Sequence, residues 1–264
     1  MLDIVTGVWR FRYFVLSSIR ADLLSRIARS RLGVLWLIIP PLAQVAIFSL
    51  ILSQVMAAKL PGIESAFAYS IYLMAGILAW SLFTEILTRS LTIFIENATI
   101  LKKIMFPKVA LPLIVYGVAT INSLILFSAI LLAYALLGHW PWPTLLWLPL
   151  LAALCSLLAL SLGLILGVLN VFIRDVGQFT TIAIQIWFWF TPIVYLPEIL
   201  PERIRWILKL NPMAWIVEGY HDVLVYQRAP NLAALAAIGA LIAALTVLAL
   251  LIYRRASVEM VDVL

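Results

Sequence analysis

From Val109 to Ile173 the chain carries no lysine, arginine, aspartate or glutamate. A soluble domain would have to expose part of such a run to water, whereas a helical bilayer crossing needs about 20 apolar residues. Shorter uncharged runs lie on either side of it. Of the 264 residues, 65% are apolar and 11% charged, and the mean hydropathy is +1.13. That leaves too little polar surface for a water-soluble fold. A membrane β-barrel would alternate polar and apolar residues, and LLALSLGLILGVLNVFI (157–173) does not. The sequence predicts an all-α integral membrane protein.

Six transmembrane helices are expected, at about 33–58, 65–88, 109–137, 145–173, 176–196 and 229–253. They form a transmembrane domain over 33–256, between an amphipathic segment at 1–32 and a tail at 257–264. With six spans both termini share one side. That side holds thirteen Lys and Arg and the other holds five, so the positive-inside rule puts both termini in the cytoplasm. Arg174 and Asp175 then form a tight cytoplasmic turn, a topological marker or equally a contact for a cytoplasmic partner. GHWPWP (138–143) makes the outer turn between spans three and four, with tryptophans suited to the interface. The +6 net charge follows this topology rather than a nucleic-acid surface.

Three segments do not span. In 8–31, Val15, Ile19, Leu23 and Ile27, widened by Leu16 and Leu24, oppose Ser18, Ala21, Asp22, Ser25 and Arg29. This predicts a helix lying on the membrane and drawn to anionic lipid headgroups. The loop 97–108, NATILKKIMFPK, is basic and amphipathic, and Met105 and Phe106 need a cover on the cytoplasmic side. Segment 197–228 should form two short helices starting at Pro201 and Pro212, with Asn211 as an N-cap. They are too short to span and too apolar for a free loop, so they should re-enter the outer half of the bilayer. Glu218 and Asp222, one turn apart, call for a nearby cation such as Arg203, Arg205 or Lys209.

Much chemistry is missing. Cys155 is the only cysteine, His139 and His221 lie on separate segments, and no metal cluster or nucleophile–base pair stands out. No Gly-Lys dipeptide occurs, so there is no P-loop. No chain of intramembrane carboxylates offers proton or sodium coupling; Glu85 and Arg89 can pair with each other. This is a pathway without its own energy source. Small residues recur every four positions at Cys155, Ala159, Gly163 and Gly167, and at Ala236, Ala240 and Ala244, for packing within the chain or between subunits. Trp187 and Phe190 sit deeper than an interface belt requires, and Tyr69 and Tyr72 line part of span two. All four are candidates to line a channel in which sugar rings slide over apolar faces.

RSRLGVLWLIIPPL (29–42), LKKIMFPKVALPL (101–113), NVFIRDV (170–176), TPIVY (191–195) and LNPMAWIVEGYHDVL (210–224) together resemble the membrane subunit of ABC-2 type polysaccharide exporters. The resemblance implies a homodimer in the bacterial inner membrane with two copies of a cytoplasmic ABC ATPase, which bind the ATP and Mg. It implies that the cargo is a polysaccharide, foremost O-antigen, on an undecaprenyl-diphosphate carrier. Arg29, Arg31 and Lys103 are candidates to attract the diphosphate. Lys102, Lys103, Met105 and Phe106 would couple to the ATPase, and Glu218 and Asp222 would belong to an outer gate. An ABC-2 exporter of drugs or small lipids is the nearest alternative. A secondary transporter or an enzyme acting on a lipid-linked sugar is more distant.

Overall fold

The computed structural model describes residues 11–28, 32–33, 35–56, 67–103 and 110–263, and the regular structure among them is all helical. The α-helices are α1 (Arg12–Ala28), α2 (Leu35–Met56), α3 (Ala68–Glu96), α4 (Ala98–Lys103), α5 (Ala110–Leu136), α6 (Leu148–Phe172), α7 (Asp175–Trp189), α8 (Glu202–Leu210), α9 (Pro212–Leu224) and α10 (Leu232–Val263). Among the described residues, four stretches are long and apolar enough to cross a bilayer: Ala68–Glu96, Ala110–Leu136, Trp142–Phe172 and Leu232–Ser257. α2 carries Pro40 and Pro41 inside its 22 residues. α7 has 15 residues.

α3 is the central helix, in contact with α2, α5, α6 and α9. Leu73, Phe83, Ile86 and Phe94 are fully buried along it. Its partnership with α6 is the most extensive, and glycines make it possible. A Cβ on Gly163 would lie 2.5 Å from Ser90 Cβ, and one on Gly167 would lie 2.4 Å from the Ser90 carbonyl oxygen. The four-residue ladder of α6 therefore seats α3 of the same chain. Ala236, Ala240 and Ala244 are instead exposed on α10.

Three boundaries differ from the expected ones. α3 runs on to Glu96 and α10 to Val263, so 257–263 continues a helix where a tail was expected. α7 stops at Trp189 because Pro192 disfavours helix in the residue before it and offers no N–H.

α1 packs on α5, with Ile19 Cδ1 seated where a Cβ on Gly117 would come within 2.3 Å. Val15, Ile19 and Leu23, expected on the membrane side, are half-buried against protein, and so are Ser18 and Asp22. Leu16 and Leu24 are 61% and 51% exposed, on the outward side of the helix. Asp22 turns inward because Arg89 Nη2 donates to its Oδ2 at 3.3 Å, and the apolar residues beside it face outward instead.

The turn at 138–144 meets the end of α9. His139 Nε2 lies 2.7 Å from the Leu224 carbonyl and Thr144 Oγ1 donates to Val223 O at 2.7 Å. The turn at Arg174–Asp175 lies at the opposite end of α6.

Candidate functional site

TPIVY, the non-helical link after α7, is held against α3. Tyr69 Oη donates to Val194 O, and Tyr72 Oη lies 3.1 Å from both Pro192 O and Tyr195 O. Ile193 is fully buried over Gly76, where a Cβ would meet Ile193 Cγ2 at 3.1 Å and His221 Nε2 at 3.2 Å. The His221 ring stacks on Tyr72 with centroids 3.7 Å apart. Its Nε2 lies 3.1 Å from the Tyr72 carbonyl, an acceptor, so Nε2 carries the proton. Burial pushes the His221 pKa down to about 3, which keeps the ring neutral.

Asn211 ties α7, α8 and α9 together. As the N-cap of α9 its Oδ1 accepts from Met213 N at 3.0 Å, as expected of an N-cap. The same oxygen accepts from Trp187 Nε1 at 2.8 Å, and Nδ2 donates to Phe190 O and Thr191 Oγ1, both at 2.9 Å. All four hydrogen-bonding positions of the amide are used. Beside this hub is an open groove of about 520 Å³ lined by Phe179, Ile182, Ile186, Trp187 and Phe190 of the α7 segment and by Ile207 and Leu210 of α8.

The four aromatic candidates do not share one surface. Trp187 and Phe190 line the groove, Phe190 about half exposed. Trp187 is also packed edge-on against Phe83, 5.2 Å between centroids. Tyr69 and Tyr72 are buried behind the TPIVY link.

The acidic pair of α9 is split. Glu218 is exposed and Asp222 is buried. The cation beside Asp222 is Arg228, at 2.6 Å, in place of Arg203, Arg205 or Lys209. The short connection after α9 brings Arg228 back, its backbone N donating to Asp222 O, whereas α8 places its own cations elsewhere. Burial raises the Asp222 carboxyl above its ordinary value and Arg228 opposes that shift.

At the other end, Arg174 caps α7 and Asp175 opens it, both exposed. The turn is organised by Asn170, which sequence reasoning passed over. Its Nδ2 donates to Leu91 O at 3.0 Å and its Oδ1 accepts from Gly177 N at 2.9 Å. An asparagine late in a charge-free run was the available signal, since a buried amide needs partners. Glu85 and Arg89 pair at 3.0 Å, and Asn122 of α5 also donates to Glu85, a second asparagine not singled out. Lys102 is exposed on α4, and Lys103 ends that helix. Arg29, Arg31, Met105 and Phe106 lie outside the described residues.

Comparison with known proteins agrees with this arrangement of apolar spanning helices. The pattern that defines the ABC-2 type transporter family matches residues 13–225. An O-antigen export system permease protein RfbA of Klebsiella pneumoniae is 31% identical over 203 residues, 76% of each chain. The protein of the same name in Myxococcus xanthus is 26% identical over 243 residues, 91% of each chain. In this family ATP is hydrolysed on a separate subunit, consistent with the missing P-loop. The chain belongs to the ABC-2 type transporter family, as a non-catalytic membrane permease subunit.

Proposed function

We propose that this permease exports a lipid-linked O-antigen polysaccharide across the bacterial inner membrane, with α2 and α7 completing six spans and both termini in the cytoplasm. The similarity to relatives named for O-antigen export, over three quarters of the chain or more, carries this reading. Several features support its finer parts. α2 is 22 residues long and free of charge, the excess of Lys and Arg falls on the terminal side, and α8 and α9 are too short to span. α8 is strongly amphipathic, with Trp206 and Leu210 exposed beside Arg203 and Lys209, as expected of a helix seated in the outer half of a bilayer. A homodimer would let two α7 grooves face one path, along which the apolar faces of sugars slide over Trp187 and Phe190. Two ATPase subunits carrying ATP and Mg would dock on 97–108 through Lys102, Lys103, Met105 and Phe106. Arg29, Arg31 and Lys103 would attract the undecaprenyl diphosphate.

Loss of the gene from its native host tests the reading. Undecaprenyl-linked polymer should accumulate in the cytoplasm while lipopolysaccharide at the surface loses its O-antigen, and the wild-type chain should restore both. Normal surface O-antigen in the deletion strain would refute the substrate.

A further inference from the structure

The last turns of α10 run beyond any bilayer crossing. Arg254 and Arg255 close its apolar run, and the helix continues to Val263. Nothing in a solvated tail would bury a side chain there, yet Met260 has no exposed surface. Leu101 of α4 is buried as well, and α10 packs against α4. About two turns before Met260, the Tyr253 ring stacks on Phe94 of α3, centroids 5.9 Å apart and planes 24° from parallel. Phe94 in turn lies under α6, its Cδ2 3.6 Å from where a Cβ on Gly167 would sit. The short helix α4 is thus held between the end of α3, to which Asn97 joins it, and the extension of α10.

The geometry points to the C-terminal extension of α10 as a strut that fixes α4, with Tyr253 and Met260 as positioning residues, so that force applied to α4 reaches the spanning helices. A six-residue helix is too short to hold its own shape. Displaced by a partner, it would fray rather than push. Packed against a 32-residue helix that also contacts α6 along the core, it moves as part of a rigid body, because close-packed interfaces transmit displacement. The strut rests on the reading that the ATPase docks on 97–108, and the test separates the two.

The full chain is co-expressed with its partner ATPase, carrying Met260→Asp, Met260→Ala, Tyr253→Ala or Tyr253→Phe. Three quantities are measured: ATPase co-purified per permease, ATP hydrolysed, and lipid-linked polymer delivered to the outer surface. Met260→Asp and Tyr253→Ala should keep the ATPase bound and hydrolysing, while polymer delivered per ATP falls roughly fivefold or more, the lower range for a coupling element. Tyr253→Phe keeps the stacked ring and should behave as the parent. If Met260→Asp fails to accumulate in membranes, Met260→Ala and the Tyr253 pair give the result. Unchanged export per ATP overturns the strut. So does loss of the ATPase in these variants, which would make the extension part of the docking surface itself. Phe106→Asp, measured in parallel, bears on the docking reading alone: a full complement of ATPase there means that the motor docks elsewhere.

Discussion

The imidazole of His221 lies flat on the phenol ring of Tyr72, 3.7 Å between centroids and 17° from parallel, although 149 residues separate the two in sequence. This contact and the Tyr72 hydroxyl bonds to the TPIVY link join α3, α9 and the end of α7 at one point. His221 is neutral there, with its pKa lowered to about 3 from 6.5 by burial. An unfolded chain binds a proton at this ring between those values and the native one does not. Native stability should therefore be fully present above about pH 6.5 and fall by up to about 1.4 kcal/mol per unit as pH drops towards 3. Thermal unfolding in detergent across that range measures it, and His221→Gln should flatten the slope. Equal slopes in parent and variant would place the acid sensitivity elsewhere.

Asn211→Ala removes an amide with four hydrogen bonds. Met213 N and Trp187 Nε1 are left without their acceptor, at about 1–3 kcal/mol for each buried group stranded. A drop in melting temperature, with the Trp187 emission shifting as its indole loosens, is expected. Asn211→Asp keeps the two accepted bonds but gives up both donors, so it should fall between the parent and the alanine variant.

Phe190→Ala should slow polymer export while membrane abundance and ATPase association stay normal, since the ring is about half exposed along the α7 groove. Tyr72→Phe acts differently, because Tyr72 is buried and its hydroxyl holds the TPIVY link. It should lower stability by about 1–3 kcal/mol. Export at the parental rate in Phe190→Ala would remove the groove from the pathway.

Gly167→Leu forces a side chain onto the Ser90 carbonyl, where even a Cβ comes within 2.4 Å. Backbone cannot yield as a flexible side chain can, so the α3–α6 contact should open, with a loss of about 1–3 kcal/mol or more. Membrane abundance should fall sharply. Ala240→Leu, on the exposed ladder of α10, should leave the folded monomer intact. If it alone reduced a crosslinked dimer, that ladder would be a subunit contact.

Orientation is open to direct labelling. Single cysteines at 139 and 226, in a Cys155-free chain, should react with a membrane-impermeant thiol reagent outside intact spheroplasts, and one at 259 should not. The reverse pattern would move 97–108 to the outside and end its assignment as an ATPase contact.

Chain-local properties were legible in the sequence by itself. Uncharged length gave the helices at 110–136 and 148–172 within about three residues, and Asn211 before Pro212 marked the start of α9 because capping is decided within a few residues. The Glu85–Arg89 pair was legible for the same reason, being one helical turn apart. Tertiary structure alone decided which side of each helix faces protein. In lipid both the core and the surroundings are apolar, so hydrophobicity does not separate inside from outside. Ser18 and Asp22 are therefore half-buried on α1 beside Ile19, and Tyr69 and Tyr72 sit behind the TPIVY link rather than in the groove with Phe190. Arg228 rather than Arg205 meets Asp222, and Met260 is buried where a tail was expected. Each of these depends on a partner brought close by packing, and no local periodicity encodes it.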